Sequence, residues 1–296
     1  MAVALDEKEY FYGHKGCAGC GGALAVRLAL KTLGENTFVV VPAGCMSAVG
    51  FVYPQLCFGV NALISPFAST GAMLSGVSVA AKALGLKDVN VVGFAGDGGT
   101  ADIGLQALSG AIDRDDKIIY ICYDNEAYMN TGIQQSSLTP YGTKTTTSPA
   151  GEHIHGSTNV KKDMFDIVAA HKIKYAATAS IGNIPDYIRK VEKASKIQGA
   201  SYIHVAAPCP TGWGISSSET IAIAREAIEC GLWYLAEYEN DQYTLNKTVK
   251  NFSSIEDYLK KQARFKHLTA EDISIITAQR DRKWEELERR IHREHI

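Results

Sequence analysis

Two side chains able to hold a hard cation stand about one βα unit apart. They are Asp97, in the turn Gly96-Asp97-Gly98-Gly99, and Asn125, in Tyr123-Asp124-Asn125-Glu126-Ala127-Tyr128-Met129-Asn130. Oxygen ligands on glycine-rich turns suit a Mg²⁺ ion that also grips a diphosphate. The glycines let backbone N–H groups approach phosphate oxygens, and a helix starting near Ala101 points its positive end at them. A calcium-like or purely structural loop is the competing reading. A second chemistry rests on sulfur. Cys17, Cys20, Cys45 and Cys209 all fall at expected turns or strand ends beside Gly or Pro. Four such thiols permit Zn²⁺, a [4Fe–4S] cluster or two disulfides, and ligand type alone does not separate zinc from the cluster. Cys57, Cys122 and Cys230 lie in apolar or helical contexts and read as inert core thiols.

The elements that position these residues follow from apolar patterning. Phe38–Val41, Val91–Ala95, Ile118–Tyr123 and Tyr202–Ala207 are short apolar runs bounded by turn residues, which predicts buried parallel strands. Cys45, Asp97, Asn125 and Cys209 each follow the carboxyl end of one of them, the edge at which open α/β sheets bind ligands. Shorter strands are expected over 61–66 and 176–180. Helices are expected over 23–33, with Gly34 as its stop, and over 69–84, 101–112, 160–171, 184–198 and 216–230. The 69–84 helix is rich in Gly, Ala and Ser, which suits close packing as well as it suits a second diphosphate contact. The polar stretch from Thr131 to Gly156 reads as a functional or partner-covering loop. His153 and His155 in it are surface residues or substrate or subunit contacts, while His204 reads as a core histidine with a satisfied hydrogen bond. From Glu237 the texture changes, and 278–296 is a highly charged helix. The expected architecture is thus an α/β, doubly wound, mostly parallel sheet over residues 1–236. Residues 237–296 form a C-terminal helical arm that contacts another subunit.

Composition narrows the function classes. The chain has 296 residues, 46% hydrophobic and 21% charged, enough to bury a full core. A net charge of −2 offers nothing to nucleic acid or to an anionic membrane. No run approaches the ~18 apolar residues that span a bilayer. Met1–Glu9 lacks a basic-then-apolar leader, so the expected compartment is the cytoplasm. Seven cysteines there point to metal or redox chemistry before disulfides.

A Gly-Asp-Gly turn followed somewhat under thirty residues later by an Asn resembles the thiamine diphosphate motif. Taken with Cys17-Ala18-Gly19-Cys20-Gly21, Cys45, Asp124 to Gln134, Thr139-Pro140-Tyr141-Gly142 and Ala207-Pro208-Cys209-Pro210-Thr211-Gly212-Trp213, the chain resembles the β subunit of 2-oxoacid:ferredoxin oxidoreductases, most closely the pyruvate type. The resemblance spans residues 17–213. It implies that Cys17, Cys20, Cys45 and Cys209 ligate a [4Fe–4S] cluster, and that Asp97, the Asn125 side chain and the Ala127 carbonyl hold Mg²⁺. Gly96, Gly98 and Gly99 then lie against the diphosphate, and Asn130 lies beside the thiamine in a catalytic role. The implied reaction, one of anaerobic metabolism, is oxidative decarboxylation of a short 2-oxo acid. Electrons pass through the cluster to ferredoxin, and coenzyme A usually takes the acyl group. The implied partners are an α subunit that supplies the carboxylate activating the thiamine, and γ/δ subunits or domains with ferredoxin-like clusters. This chain alone is then inactive. The stretch Glu152–Asn159 departs from the pyruvate-type pattern, which leaves pyruvate, oxalate and other 2-oxo acids open. Two other functions compete: a cluster-free thiamine diphosphate decarboxylase or synthase subunit, and a zinc-stabilised scaffold subunit.

Overall fold

Seven consecutive residues, Ile118–Asp124, are buried on both faces, and so are Ala200–Ala206. Strands of this kind need helices on each side. In the computed structural model, which describes residues 5–292, they have them. The chain begins with α1 (Gly21–Leu33), β1 (Thr37–Pro42), α2 (Cys45–Gly50), the small hairpin β2 (Phe51–Val52) and β3 (Gln55–Leu56), then β4 (Asn61–Ser65) and α3 (Thr70–Ala83). β5 (Asn90–Gly96), α4 (Asp97–Ala101), α5 (Leu105–Asp113), β6 (Ile118–Asp124), α6 (Met164–Ala170), β7 (Tyr175–Ser180), α7 (Ile184–Lys196) and β8 (Ala200–Ala206) follow. The rest is α8 (Pro210–Trp213), α9 (Thr220–Glu229), β9 (Ala236–Glu239), β10 (Gln242–Leu245), α10 (Ile255–Lys260), a 3₁₀ turn (Ala263–Phe265) and α11 (Ala270–His292).

Eight strands form one sheet in the order β10-β9-β7-β8-β6-β5-β1-β4, parallel except at β9 and β10. α1 and α7 cover one face, with Leu30 and Val191 packing on Ile121 and Ile203. α3, α5, α6 and α11 cover the other, with Leu74, Leu108, Phe165 and Leu287 on Tyr120 and Ile118. This is the expected doubly wound fold with a C-terminal helix. A third cluster joins Trp213 to α9, α10 and α11.

Four expectations change in detail. The helix after the acidic turn begins at Asp97, not Ala101. It breaks at Asp102, which has φ −108° and ψ −94°, and resumes at Leu105. Asp102 leaves the helical path to accept the Tyr128 hydroxyl at 2.7 Å and the Ser137 hydroxyl. The helix expected over 160–171 starts only at Met164, capped by the Asp163 side chain, because Lys161 and Lys162 are drawn into ion pairs. The sheet does not stop at Glu237. β9 pairs antiparallel with β7 and β10 pairs with β9, so residues 236–245 extend the sheet. Tyr238 and Tyr243 are cross-strand partners whose rings meet edge to face, 5.0 Å between centres. The terminal helix starts earlier than expected, at Ala270, and buries Trp284 and Leu287; residues 293–296 lie outside the described part.

In the 69–84 helix, close packing accounts for Gly71. A methyl there would collide with the Ala107 carbonyl of α5. Gly76 faces open space, and Val79 and Leu84 are exposed.

Candidate active site

β8, β6, β5 and β1 are consecutive in the sheet, and each ends on a candidate ligand: Cys209, Asn125, Asp97 and Cys45 in turn. Register sets the alignment, with Gly96 opposite Tyr123 and Asp124 opposite Ala206. Adjacent strands lie about 4.8 Å apart, so four turns distant in sequence share one short edge.

Asp97 opens α4 and is buried, 2% exposed. Its Oδ2 accepts the Ser136 hydroxyl. One terminal atom of the Asn125 amide lies 3.1 Å from Asp97 Oδ1 and 2.9 Å from the Ala127 carbonyl oxygen. With nitrogen in that place the amide donates to both. Turned the other way, its oxygen completes three oxygens facing one point, an arrangement that needs a cation. A carboxylate and two neutral oxygens suit Mg²⁺ that keeps further positions for phosphate and water. Burial, and after it the neighbouring Asp124, push the Asp97 carboxyl well above its ordinary pKa.

Gly98 carries the close approach that the turn demands. The Tyr128 ring lies on its Cα, where any side chain would collide with it. Tyr128 is in turn fixed by its bond to Asp102 and by a backbone pair with Gln134, whose carbonyl accepts the Tyr128 N–H at 2.8 Å. Gly96 and Gly99 face the Tyr123 and Phe67 rings. Asn130 stands exposed at the tip of this Tyr128–Gln134 turn, which Thr131 closes by a 2.5 Å hydrogen bond to Gln134.

Beneath Asn125 lies a charged network without a local sequence signal. Asp124 Oδ2 meets Lys161 Nζ at 2.7 Å and His204 Nε2 at 2.9 Å. Lys161 also pairs with Glu126 at 2.6 Å, and Arg264 grips the other Glu126 oxygen at 2.6 Å. The guanidinium carbon lies over Trp213, 3.7 Å from its ring centre, and the Trp213 indole N–H donates to the Asn125 carbonyl at 2.8 Å. Burial disfavours charge on Asp124, but Lys161 and His204 outweigh it and hold its pKa down at about 2. Glu126 sits at φ +68°, a left-handed conformation uncommon for a side-chain-bearing residue, and its two salt bridges clamp it there. His204 is thus the satisfied core histidine expected, and its partner is the carboxylate beside the site. The same residues line a cavity of about 690 Å³.

The seven cysteines are free thiols. Cys20 caps α1, Cys45 begins α2 and Cys209 caps α8, so each meets the amide-rich end of a helical turn. The Ala23 N–H reaches Cys20 Sγ at 3.4 Å, the Gly212 N–H reaches Cys209 Sγ at 3.3 Å, and the Thr211 hydroxyl stands 3.7 Å from Cys17 Sγ. Burial pushes the Cys45 thiol up to about 12, and the neighbouring Cys20, Cys209 and Cys17 add to it. The four groups therefore share one neighbourhood. Among the described residues no three metal-binding side chains converge tightly enough to grip a single ion. Burial holds the Cys20, Cys45 and Cys209 thiols neutral, and such thiols become thiolates when a cationic centre replaces their protons, so the donor set fits a metal–sulfur group. Cys57, Cys122 and Cys230 are buried away from them. His153 and His155 are exposed, and His155 touches Asp272 at 3.4 Å.

A doubly wound sheet with an acidic turn and an Asn at adjacent strand ends defines a thiamine diphosphate-binding domain. Residues 43–205 match the family model of the thiamine pyrophosphate enzyme C-terminal TPP binding domain. That span contains Cys45, Asp97 and Asn125 and leaves Cys17, Cys20 and Cys209 outside. The chain is 49% identical to pyruvate synthase subunit PorB of Methanothermobacter thermautotrophicus, over 96% of this chain and 99% of that one. It is 47% identical to ketoisovalerate oxidoreductase subunit VorB of Pyrococcus abyssi, over 96% of this chain and 93% of that one. It belongs to the thiamine diphosphate-binding β subunits of the 2-oxoacid:ferredoxin oxidoreductases. The solved 2-oxoglutarate:ferredoxin oxidoreductase from Magnetococcus marinus shares the fold, with a TM-score of 0.58 at 20% identity over 76% of this chain and 83% of that one. No described helix is long and apolar enough to cross a membrane.

Proposed function

We propose that this chain holds thiamine diphosphate, Mg²⁺ and a [4Fe–4S] cluster in a cytoplasmic enzyme that oxidatively decarboxylates pyruvate and reduces ferredoxin. The observation that carries this reading is the meeting of Asp97, Asn125 and the Ala127 carbonyl with four thiols along one sheet edge. When bound, thiamine diphosphate supplies a nucleophilic carbon and an electron sink for the 2-oxo acid. Asp97, Asn125 and the Ala127 carbonyl hold the metal, and Gly96, Gly98 and Gly99 leave room for the diphosphate. Asn130, at the exposed tip of its turn, orients the bound acid. Cys17, Cys20, Cys45 and Cys209 hold the cluster, and the N–H groups of Ala23 and Gly212 lower the negative charge on its sulfurs. Coenzyme A is the proposed acyl acceptor. The carboxylate that activates thiamine comes from an α subunit, and further subunits with ferredoxin-like clusters carry electrons onward. The exposed side of α11 is one surface on which they dock. Ketoisovalerate is the second substrate reading, because relatives bearing that name are nearly as similar to this chain as those named for pyruvate.

The test is anaerobic purification with the native partners, then iron, sulfide, zinc and thiamine analysis, followed by turnover on pyruvate, ketoisovalerate and oxalate. Cys209→Ser is expected to remove about four iron and four sulfide per copy of this chain while thiamine stays bound. Zinc in place of iron, or an unchanged iron count in the variant, would overturn the cluster. Turnover on ketoisovalerate but not pyruvate would move the substrate to the branched acid.

A further inference from the structure

One short turn touches both halves of the site. It starts at Cys209, whose Sγ accepts the Gly212 N–H at 3.3 Å, and ends on Trp213, whose indole N–H donates to the Asn125 carbonyl at 2.8 Å. The Trp213 backbone N–H closes the turn on the Cys209 carbonyl at 2.8 Å, and Pro210 fixes the first backbone angle of α8. A candidate cluster ligand and the partner of a candidate metal ligand therefore stand at the two ends of one closed turn.

A second link arrives from the other side. Met129, half-buried, follows the segment that carries Asn125 and Ala127 and precedes Asn130. Its thioether occupies the space that a side chain on Gly212 would take. A methyl there would collide with the Met129 sulfur and would lie 3.5 Å from Cys209 Sγ. Met129 and Cys209 both pack against the apolar cluster that contains Trp213, which is 3% exposed. Interiors packed this closely transmit small shifts. An adjustment of Asn125 when the metal site fills reaches the Cys209 turn through the Trp213 indole, and one of Met129 reaches it through Gly212.

We propose that Trp213 and Met129 are positioning residues that fix the Cys209 side of the metal–sulfur centre against the turn holding Mg²⁺ and thiamine diphosphate, so that filling one site alters the other. This rests on the cofactor and cluster reading above. Linkage makes the effect reciprocal. Thiamine diphosphate with Mg²⁺ shifts the centre's reduction potential, and reduction of the centre changes the affinity for thiamine diphosphate by the same factor. A change of about tenfold in that affinity corresponds to about 59 mV for a one-electron centre.

The experiment is an EPR-monitored redox titration of the anaerobically purified complex, with Mg²⁺ and thiamine diphosphate bound and again after their removal, following the centre that Cys209→Ser abolishes. The two wild-type potentials are expected to differ by the equivalent of about a tenfold change in affinity. Trp213→Phe keeps a ring and deletes the N–H, whereas Met129→Ala deletes the thioether and keeps the hydrogen bonds of both turns. Each is expected to shrink the difference, and Met129→Leu, which refills the space, is expected to restore it. Equal potentials in the wild type overturn the proposal. So does a difference that persists undiminished in both variants, which would be the through-space effect of the cofactor's charge alone. A wild-type complex with no such centre overturns the cluster reading instead.

Discussion

Asp97 must be an anion to hold a divalent cation, yet its surroundings make it a poor one. Burial and the fixed negative charge of Asp124 raise its pKa, while Lys161 and His204 keep Asp124 ionised. The sign follows directly. With its folded pKa above the ordinary value of 3.8, an ionised Asp97 costs stability above that value, and the cost is relieved as pH falls through the raised pKa. Metal binding requires the carboxylate, so at mildly acidic pH it releases a proton and its affinity weakens as pH drops. Calorimetric titration of the cofactor-depleted complex with Mg²⁺ and thiamine diphosphate, in buffers of different ionisation heat, should show that release. Binding without a released proton would mean that Asp97 is already ionised when empty. Asp97→Asn keeps the shape and removes the charge, and it is expected to weaken metal binding at least 100-fold.

The turn after β6 carries Asn125 and Ala127, two of the three groups proposed to hold the metal, and side chains from distant parts of the chain hold it. Lys161 bridges Asp124 and Glu126, Arg264 holds Glu126, and Trp213 ties down the Asn125 carbonyl. Removing one partner of a buried ion pair strands the other and costs about 3–5 kcal/mol. Lys161→Met therefore leaves Asp124 with His204 and Glu126 with Arg264 as their remaining partners, one cation short beside Asn125. We expect at least a tenfold loss of Mg²⁺ affinity, read by EPR with Mn²⁺ as a probe, together with a lower melting temperature. Lys161→Arg restores the charge and should recover most of the affinity. A methionine variant that loses stability but binds Mn²⁺ normally would show that the network supports the fold and not the metal.

The molecule as a whole leaves apolar surface uncovered on the side of β4 and α3. Leu63 and Ile64 on the edge strand, Val79 on α3, Leu84 just after it, and Ile103 in the break after α4 are all exposed. An apolar edge strand is a pairing hazard unless something covers it, and this one flanks the strand ends that carry the site. The isolated chain is expected to turn over no 2-oxo acid and to self-associate. Added α subunit should restore activity and a single species in sedimentation. Leu63→Lys should weaken that assembly while leaving the chain folded by circular dichroism. Full turnover by the isolated chain would show that it carries its own activating carboxylate.

Much of this was legible without coordinates because it is local. Apolar runs bounded by turn residues marked β1, β5, β6 and β8, and the residue types at their ends supplied the donors on which the proposed function rests: an acid, an amide and four cysteines. What the linear order could not disclose was which ends become neighbours. That is set by strand pairing across many residues, which puts β8 beside β6 and β5 beside β1, and which carries Ala236–Leu245 back to β7 although its composition reads as a new segment. Lys161 and Arg264 were illegible for the same reason. A lysine before a helix and an arginine in a charged tail carry no local mark of function. Their roles arise only when tertiary packing removes water around them, and each charge must then find its partner from a distant part of the chain.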